Sequence, residues 1–259
     1  MNRFWLSIVL CLGISPNIGA QWQTITTERG SVDVYVPENT GDEMLPLAVG
    51  LHAYSNNGAI LESMMQMQSV AENQKVILCY PDGTLGFLLL RFWNATLACC
   101  GPTSGVDDSG YLRGVIEQMQ EGFNIDPGRI HLFGYSNGGF MASRMACDHS
   151  DLIASVASFA GGTWFDPKNC APEEPVSVLL VHGTADAVIQ YEGGTLPLIP
   201  GVTPYPSHEQ SVGNWKILND CQDEVEMEAT LDLHSTLSGE ETVVRRYGGC
   251  RLNVNVESW

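Results

Sequence analysis

The feature that most constrains the fold is segment 134–139, with the sequence GYSNGG, which directly follows the apolar run 129–133. A strand that ends in small residues around a serine and continues into a helix is typical of a nucleophile elbow, a sharp turn that lifts a serine hydroxyl above a sheet. A glycine-rich turn without chemistry is the alternative interpretation. The strand before the turn and the helical pattern behind it favour the elbow, with Ser136 as its nucleophile.

Strand and helix patterns alternate along most of the chain. The continuous apolar run 45–51 is typical of a strand buried on both faces, whereas 31–36 alternates as an edge strand would. Segment 60–71 predicts one helix whose inner face carries Ile60, Met64, Met67 and Ala71. Further strands are predicted at 76–80, 129–133, 153–160, 176–181, 226–233, 242–247 and from 252, and further helices after 107, after 136 and at 207–219. The alternation predicts an α/β fold with a mostly parallel, doubly wound sheet and helices on both faces, in a single domain spanning 21–259.

The first twenty residues have the pattern of a secretory signal. Arg3 precedes an apolar stretch too short to span a bilayer, and small residues end the segment at Gly19 and Ala20. Residues 1–20 are therefore predicted to be a signal peptide, and the protein is predicted to be secreted, to the extracellular space or the periplasm. The net charge of −18 repels nucleic acid and anionic membranes. We expect no nucleic-acid partner, and no membrane partner after signal cleavage.

Secretion makes disulfides favourable, and the cysteine pattern fits that expectation. Cys79 lies in an apolar strand and is predicted to be a buried free thiol. Cys221 and Cys250 flank the same C-terminal segment and are the favoured pair, while the other pairings stay open. Because the spacing of cysteines and histidines matches no common ligand motif, we predict neither a metal site nor a cofactor.

Hydrolysis by a serine nucleophile requires a base, an acid that orients the base, and donors for the oxyanion. The N–H of Asn137 follows the nucleophile and is the first predicted oxyanion donor, and the loop after strand 45–51 supplies the second through the N–H of Tyr54. His52 is predicted to brace that loop. Asp186 follows strand 176–181 and is the predicted orienting acid, with a turn-capping role as the alternative.

The base is the triad member that the sequence does not identify. An α/β-hydrolase orders its triad as serine, acid and histidine, so the base must follow Asp186. His208 and His234 are the histidines that do so. His208 begins a predicted helix and His234 lies in a polar strand, so both are weak candidates. His182 is predicted to be a buried, hydrogen-bonded residue at the end of its strand.

Several short segments occur together in one order along the chain. They are YPDG at 80–83, WNA at 93–95, CCGP at 99–102, VDD at 106–108, GYSNG at 134–138, CAP at 170–172, HGTAD at 182–186, YEGG at 191–194 and YGGC at 247–250. In these segments the chain resembles the secreted polyhydroxybutyrate depolymerase-like esterases, whose relatives include feruloyl and acetylxylan esterases. The resemblance implies an α/β-hydrolase fold and a serine esterase with Ser136 as nucleophile and Asp186 as acid. It also implies a polyester or a plant cell-wall ester as substrate and no cofactor.

Two positions depart from the family pattern. Ala53 stands where the family usually has glycine, which alters the predicted oxyanion loop. Segment 254–259 resembles the family's last strand, after which a glycine-rich loop would carry the catalytic histidine. The resemblance therefore predicts a C-terminally incomplete copy with impaired activity. The rival hypothesis is a non-catalytic secreted homologue that binds a polyester or a polysaccharide, and a peptidase on the same fold is a third.

Overall fold

The computed structural model describes residues 21–86, 88–99, 105–196 and 203–259, so the predicted signal peptide lies outside the described residues. The helices are α1 Gly58–Met65, α2 Gln68–Gln74, α3 Asp108–Gly122, α4 Asn137–Asp148 and α5 His208–Leu218. The strands are β1 Gln21–Thr27, β2 Gly30–Val36, β3 Leu45–Leu51, β4 Ile77–Tyr80, β5 Thr84–Leu85, β6 Arg91–Phe92, β7 Ile125–Tyr135, β8 Ser155–Phe159, β9 Ser177–Val181, β10 Val225–Leu231, β11 Thr242–Tyr247 and β12 Val256–Ser258.

One large sheet organises the molecule, with strand order β1-β2-β4-β3-β7-β8-β9-β12-β11-β10. The strands from β4 to β12 in this order are parallel neighbours, and antiparallel pairs flank them at both ends. A separate two-stranded sheet, β5-β6, lies in the loop after β4. The predicted α/β fold with a mostly parallel sheet is confirmed. Because parallel strands end at the same edge, the loops after β3, β7 and β9 emerge on one side of the molecule.

The predicted edge position of β2 is wrong. Strand β1 pairs antiparallel with β2 from Gln21 to Thr27 and takes the edge instead. The sequence of β1 is mostly polar and half-exposed, so its strand character comes from this pairing and not from an apolar pattern.

Helices cover both faces of the sheet. Helices α3, α4 and α5 bury their apolar sides in the larger core, where Met141, Ala142 and Met145 of α4 are fully buried, as the helical pattern predicts. Helices α1 and α2 lie on the other face, where Leu61 and Ala71 pack with Tyr80 and Phe133.

The single helix predicted over 60–71 is wrong in extent, and its predicted inner face is confirmed only for Met67 and Ala71, which pack in the smaller core. Gln66, with φ of 48°, ends α1 in the left-handed conformation, and α2 begins two residues later. Ile60 and Met64 are 42% and 52% exposed instead of buried. The cause is the contact of Gly58 with the carbonyl of Tyr80, which a Cβ atom would approach to 2.3 Å. This close approach turns Leu61, and not Ile60, towards the sheet.

The cysteine predictions are confirmed where the structure describes them. Cys221 and Cys250 form a disulfide, and a second one joins Cys147 to Cys170. Cys79 in β4 is a free thiol with no exposed surface, and this burial raises its pKa. In the described ranges, no helix is both long enough and apolar enough to cross a bilayer.

Candidate active site

The turn between β7 and α4 places Ser136 at the carboxyl edge of the sheet. Ser136 has φ of 54° and ψ of −116°, a strained conformation for a residue with a side chain. Its N–H donates to the carbonyl oxygen of Phe159 at 2.8 Å, which ties the turn to the neighbouring strand β8. Ser136 is half-buried, and its hydroxyl has no hydrogen-bond partner among the described residues. The hydroxyl is therefore held at the surface in a fixed turn, as a nucleophile elbow requires.

Two glycines of the elbow are explained by backbone contacts. A Cβ atom on Gly138 would lie 1.9 Å from the carbonyl oxygen of Leu51 in β3. A Cβ atom on Gly134 would lie 2.2 Å from the carbonyl oxygen of Gly138. No side chain fits at such distances, so the first turn of α4 packs directly on the end of β3. The loop that leaves β3 is consequently brought next to the elbow.

The two predicted oxyanion donors belong to the two elements that meet at this contact, α4 and the loop after β3. Asn137 is the first residue of α4, so its N–H has no acceptor within the helix. Tyr54 lies in a turn closed by the N–H of Asn56, which donates to the carbonyl oxygen of Ala53 at 3.1 Å. Within the described ranges, the N–H of Tyr54 has no acceptor. Both amides are thus available to a ligand at the carboxyl edge of the sheet.

His52 braces the oxyanion loop from inside the protein. It is fully buried, its Nε2 accepts from the N–H of Gly83 at 2.9 Å, and its Nδ1 lies 2.8 Å from the carbonyl oxygen of Ala53. A ring with Nε2 as acceptor and Nδ1 as donor is the neutral tautomer. Burial also lowers the pKa of His52, which favours the neutral form. His52 therefore holds the loop and has no free nitrogen to act as a base.

Asp186 lies in the loop after β9, two strands from β7. Its Oδ1 accepts from the N–H groups of Val188 at 2.8 Å and Ile189 at 3.0 Å. Its Oδ2 makes no hydrogen bond to any described residue, and Nε2 of His182 lies 3.7 Å from it. The side chain is 21% exposed. One carboxylate oxygen thus fixes the loop and the other is available to orient a donor.

His182 lies at the start of this loop and contacts its other end. Its side chain is 3% exposed, and its Nε2 lies 2.6 Å from the carbonyl oxygen of Ile189. Its Nδ1 is buried without a hydrogen-bond partner in the described part of the chain. The predicted structural interpretation of His182 agrees with this burial.

The structure brings neither predicted base into contact with Ser136. His208 begins α5, is 4% exposed, and its Nε2 lies 2.8 Å from Oγ of Ser258. Burial, with a smaller contribution from His182, lowers the pKa of His208 to about 4. His234 is exposed in the loop after β10, with its Nδ1 against Thr236. Strand β10 is five positions from β7 in the sheet, about 24 Å at ~4.8 Å per strand.

Sequence reasoning missed Trp93, which links the two segments that carry the predicted oxyanion donors. The side-chain oxygen of Asn137 accepts from the N–H of Trp93 at 2.7 Å, and the side-chain nitrogen donates to its carbonyl oxygen at 2.9 Å. The only available signal was the WNA segment at 93–95, which carries part of the resemblance but indicates no role. In the described residues, no group of three acidic, histidine or cysteine side chains could hold a metal ion.

Comparisons with known proteins agree with this geometry. No family model matches the chain. The chain is 29% identical over 189 residues to feruloyl esterase B of Piromyces equi, a match that covers 71% of this chain and 34% of that protein. It is 28% identical over 126 residues to poly(3-hydroxyalkanoate) depolymerase C of Paucimonas lemoignei, covering 49% of this chain and 29% of that protein. The chain thus spans about a third of the length of these relatives.

Solved structures give the same fold. The acetyl xylan esterase from Aspergillus awamori superposes with a TM-score of 0.62 at 14% identity, covering 92% of both chains. An S-formylglutathione hydrolase from Agrobacterium tumefaciens superposes with a TM-score of 0.52 at 16% identity, covering 65% of this chain and 77% of that one. The chain therefore has the α/β-hydrolase fold, and its sequence is similar to those of a feruloyl esterase and a polyhydroxyalkanoate depolymerase.

Proposed function

We propose that the protein is a secreted serine esterase that cleaves carboxylic esters through an acyl-enzyme on Ser136. The observation that carries the proposal is the conformation of Ser136, whose strained turn presents a hydroxyl without a partner among the described residues, next to the N–H of Asn137 and against the end of β3. Its relatives include a feruloyl esterase and a polyhydroxyalkanoate depolymerase, which supports an ester of a plant cell wall or of a polyester as substrate. Two disulfides support secretion, because such bonds persist in oxidising compartments.

The reaction has two acyl-transfer steps. Oγ of Ser136 attacks the ester carbonyl while a base removes its proton, and the N–H groups of Asn137 and Tyr54 stabilise the oxyanion. The C–O bond to the alcohol then breaks, and the alcohol takes the proton from the base. Water attacks the acyl-enzyme in the same way, which releases the acid and restores Ser136. Asp186 orients the base with its free Oδ2.

Turnover by these 259 residues should be low. No described histidine contacts the Ser136 hydroxyl, and the two histidines that follow Asp186 are occupied elsewhere, by Ser258 and by Thr236. Loss of the base in a serine hydrolase costs about 10⁶ in turnover, and a residual acceleration of about 10³ to 10⁴ remains from the oxyanion hole and substrate binding.

Imidazole in solution provides the sharpest test. If the elbow, the acid and the oxyanion donors are built but no base is in place, added imidazole should accept the Ser136 proton and accelerate hydrolysis of p-nitrophenyl acetate. We expect the imidazole-dependent rate of the wild type to exceed that of Ser136→Ala by about tenfold or more, since reaction within a site is favoured over reaction in solution. Intact-protein mass spectrometry should detect acetylation at Ser136.

Ser143→Ala is the matched control. Ser143 lies in the same helix, and its hydroxyl is buried and has no hydrogen-bond partner in the described chain, so its removal should leave the rate unchanged. Equal imidazole-dependent rates for the wild type and Ser136→Ala, with no acetylated protein, would contradict an esterase built on Ser136.

A non-catalytic binder is the second hypothesis, and it is favoured because no described histidine contacts the Ser136 hydroxyl. Such a homologue would bind particles of polyhydroxybutyrate or insoluble xylan equally well with and without Ser136→Ala, and it would show no hydrolysis dependent on Ser136. Sedimentation with these particles, measured beside the imidazole assay, separates the two hypotheses.

A further inference from the structure

Trp93 is a fully buried tryptophan that the reaction scheme does not use. It directly follows β6 and lies between the elbow helix and the loop that leaves β3. Each of these two elements carries one of the proposed oxyanion donors.

The backbone of Trp93 is fixed to the elbow. Asn137 accepts from its N–H and donates to its carbonyl oxygen, so a single side-chain amide makes both hydrogen bonds. Asn137 is itself fully buried. Because the same residue offers its backbone N–H as the first oxyanion donor, the position of that donor is tied to the position of the Trp93 backbone.

The indole of Trp93 is fixed to the other loop. Its Nε1 donates to the carbonyl oxygen of His52 at 3.0 Å, and the two ring centroids lie 5.0 Å apart. His52 is in turn bonded to Ala53 and Gly83, so it cannot move independently of the loop that carries Tyr54. The residue two positions before the second donor is thus held by the indole end of the same tryptophan.

We propose that Trp93 is a positioning residue for the oxyanion hole, which sets the separation between the N–H groups of Asn137 and Tyr54 through its backbone at one end and its indole N–H at the other. This inference rests on the proposed esterase function. Two amides stabilise an oxyanion only when both lie at hydrogen-bond distance from one point, and a shift of about 1 Å can cost ~100-fold in rate.

Trp215 provides a matched comparison for the opposing interpretation, in which Trp93 only fills the core. It is also fully buried, but its indole N–H has no hydrogen-bond partner in the described residues. A tryptophan-to-phenylalanine change therefore removes a similar volume at either position and removes an anchoring hydrogen bond only at Trp93.

The test compares Trp93→Phe with Trp215→Phe in Ser136-dependent hydrolysis of p-nitrophenyl acetate at fixed imidazole. For Trp93→Phe we expect kcat to fall about 10- to 100-fold with KM unchanged within about twofold, because the oxyanion forms only in the transition state. Trp215→Phe should change both constants less than about threefold. Asn137→Ala should lower kcat similarly, and the double variant should lose less than the product of the single effects, because both act through Trp93.

Amide spectra make the test independent of turnover. In Trp93→Phe, the N–H signals of Tyr54 and Asn137 should shift and exchange faster with solvent than in Trp215→Phe, at matched melting temperatures. If these signals are unchanged, or if Trp215→Phe lowers kcat as much, the positioning role is overturned. If the wild type shows no Ser136-dependent hydrolysis, the proposed function fails, and the amide signals alone decide the role of Trp93.

Discussion

The nucleophile side of the site, around Ser136, and the acid side, around Asp186, differ in how their supporting side chains are paired. On the nucleophile side, the side chains of Asn137, Trp93 and His52 are fully buried, and each makes at least one hydrogen bond. On the acid side, neither Oδ2 of Asp186 nor the buried Nδ1 of His182 has a hydrogen-bond partner among the described residues. The side chains that support Ser136 are fixed by their own contacts, whereas Asp186 and His182 each keep an atom free for a further hydrogen bond.

This difference has energetic consequences. A buried polar atom without a partner costs about 1–3 kcal/mol, so the acid side is less stable than its packing alone would make it. We expect the stability of the nucleophile side to change strongly only when a backbone contact is broken. We expect the stability of the acid side to change with pH and with the binding of a hydrogen-bond partner.

The largest effect should come from breaking the backbone contact of the nucleophile side with Gly138→Ala. The added Cβ would meet the Leu51 carbonyl at 1.9 Å, with backbone on both sides, so we expect a loss of about 4 kcal/mol in the free energy of unfolding, measured by urea denaturation. Gly114→Ala in α3 is the control, since its Cβ meets no atom within 4 Å, and it should be neutral or stabilising by up to about 1 kcal/mol. A cost for Gly138→Ala no larger than for the control would refute the tight contact.

The acid side should lose stability on acidification through His208. Its folded-state pKa of about 4 lies below the ordinary value of 6.5, so below pH 6.5 the unfolded chain binds more protons than the folded protein does. Stability is then fully present above pH 6.5 and falls towards pH 4, by at most about 3 kcal/mol, since each unit of pKa shift corresponds to ~1.4 kcal/mol.

His208→Gln isolates this contribution. His52 and His131 also have lowered pKa values and add to the pH dependence of the wild type, but they are unchanged in the variant. The difference between the unfolding free energies of the wild type and His208→Gln should therefore narrow as pH falls from 6.5 to 4. A constant difference across this range would show that His208 keeps an ordinary pKa in the folded protein.

The smallest effect should come from Asp186→Asn. In a complete triad, the corresponding change lowers kcat about 10⁴-fold, because the base takes the wrong tautomer. Here no described histidine makes a hydrogen bond to the Ser136 hydroxyl, so without imidazole we expect hydrolysis of p-nitrophenyl acetate to fall less than about tenfold. A loss near 10⁴-fold would reveal a base oriented by Asp186 and would remove the contrast between the two sides.

Much of the fold follows from local sequence patterns. Strand β3 has its predicted bounds, α3 and α5 begin beside Asp107 and Ser207, where helices were predicted to start, and the glycine pattern around Ser136 corresponds to the turn between β7 and α4. These features depend on residues close together in the chain, where periodicity, capping and turn chemistry act directly.

The features that the sequence did not predict depend on distant contacts. The orientation of α1 is set by Gly58 against Tyr80, and β1 is a strand because of its pairing with β2. Trp93 reaches across 41 and 44 positions to His52 and Asn137. Neither periodicity nor spacing specifies such a link, because it exists only once the sheet has brought the three segments together.

The buried thiol of Cys79 gives the protein an internal reporter of opening. In the native state, iodoacetamide cannot reach the Cys79 sulfur, which has no exposed surface, and the raised pKa keeps the thiol unreactive. When β4 opens to solvent, the thiol becomes accessible and is alkylated. The rate of alkylation at Cys79 thus measures how often this part of the sheet becomes accessible to solvent. The measurement needs no engineered residue and does not depend on catalysis.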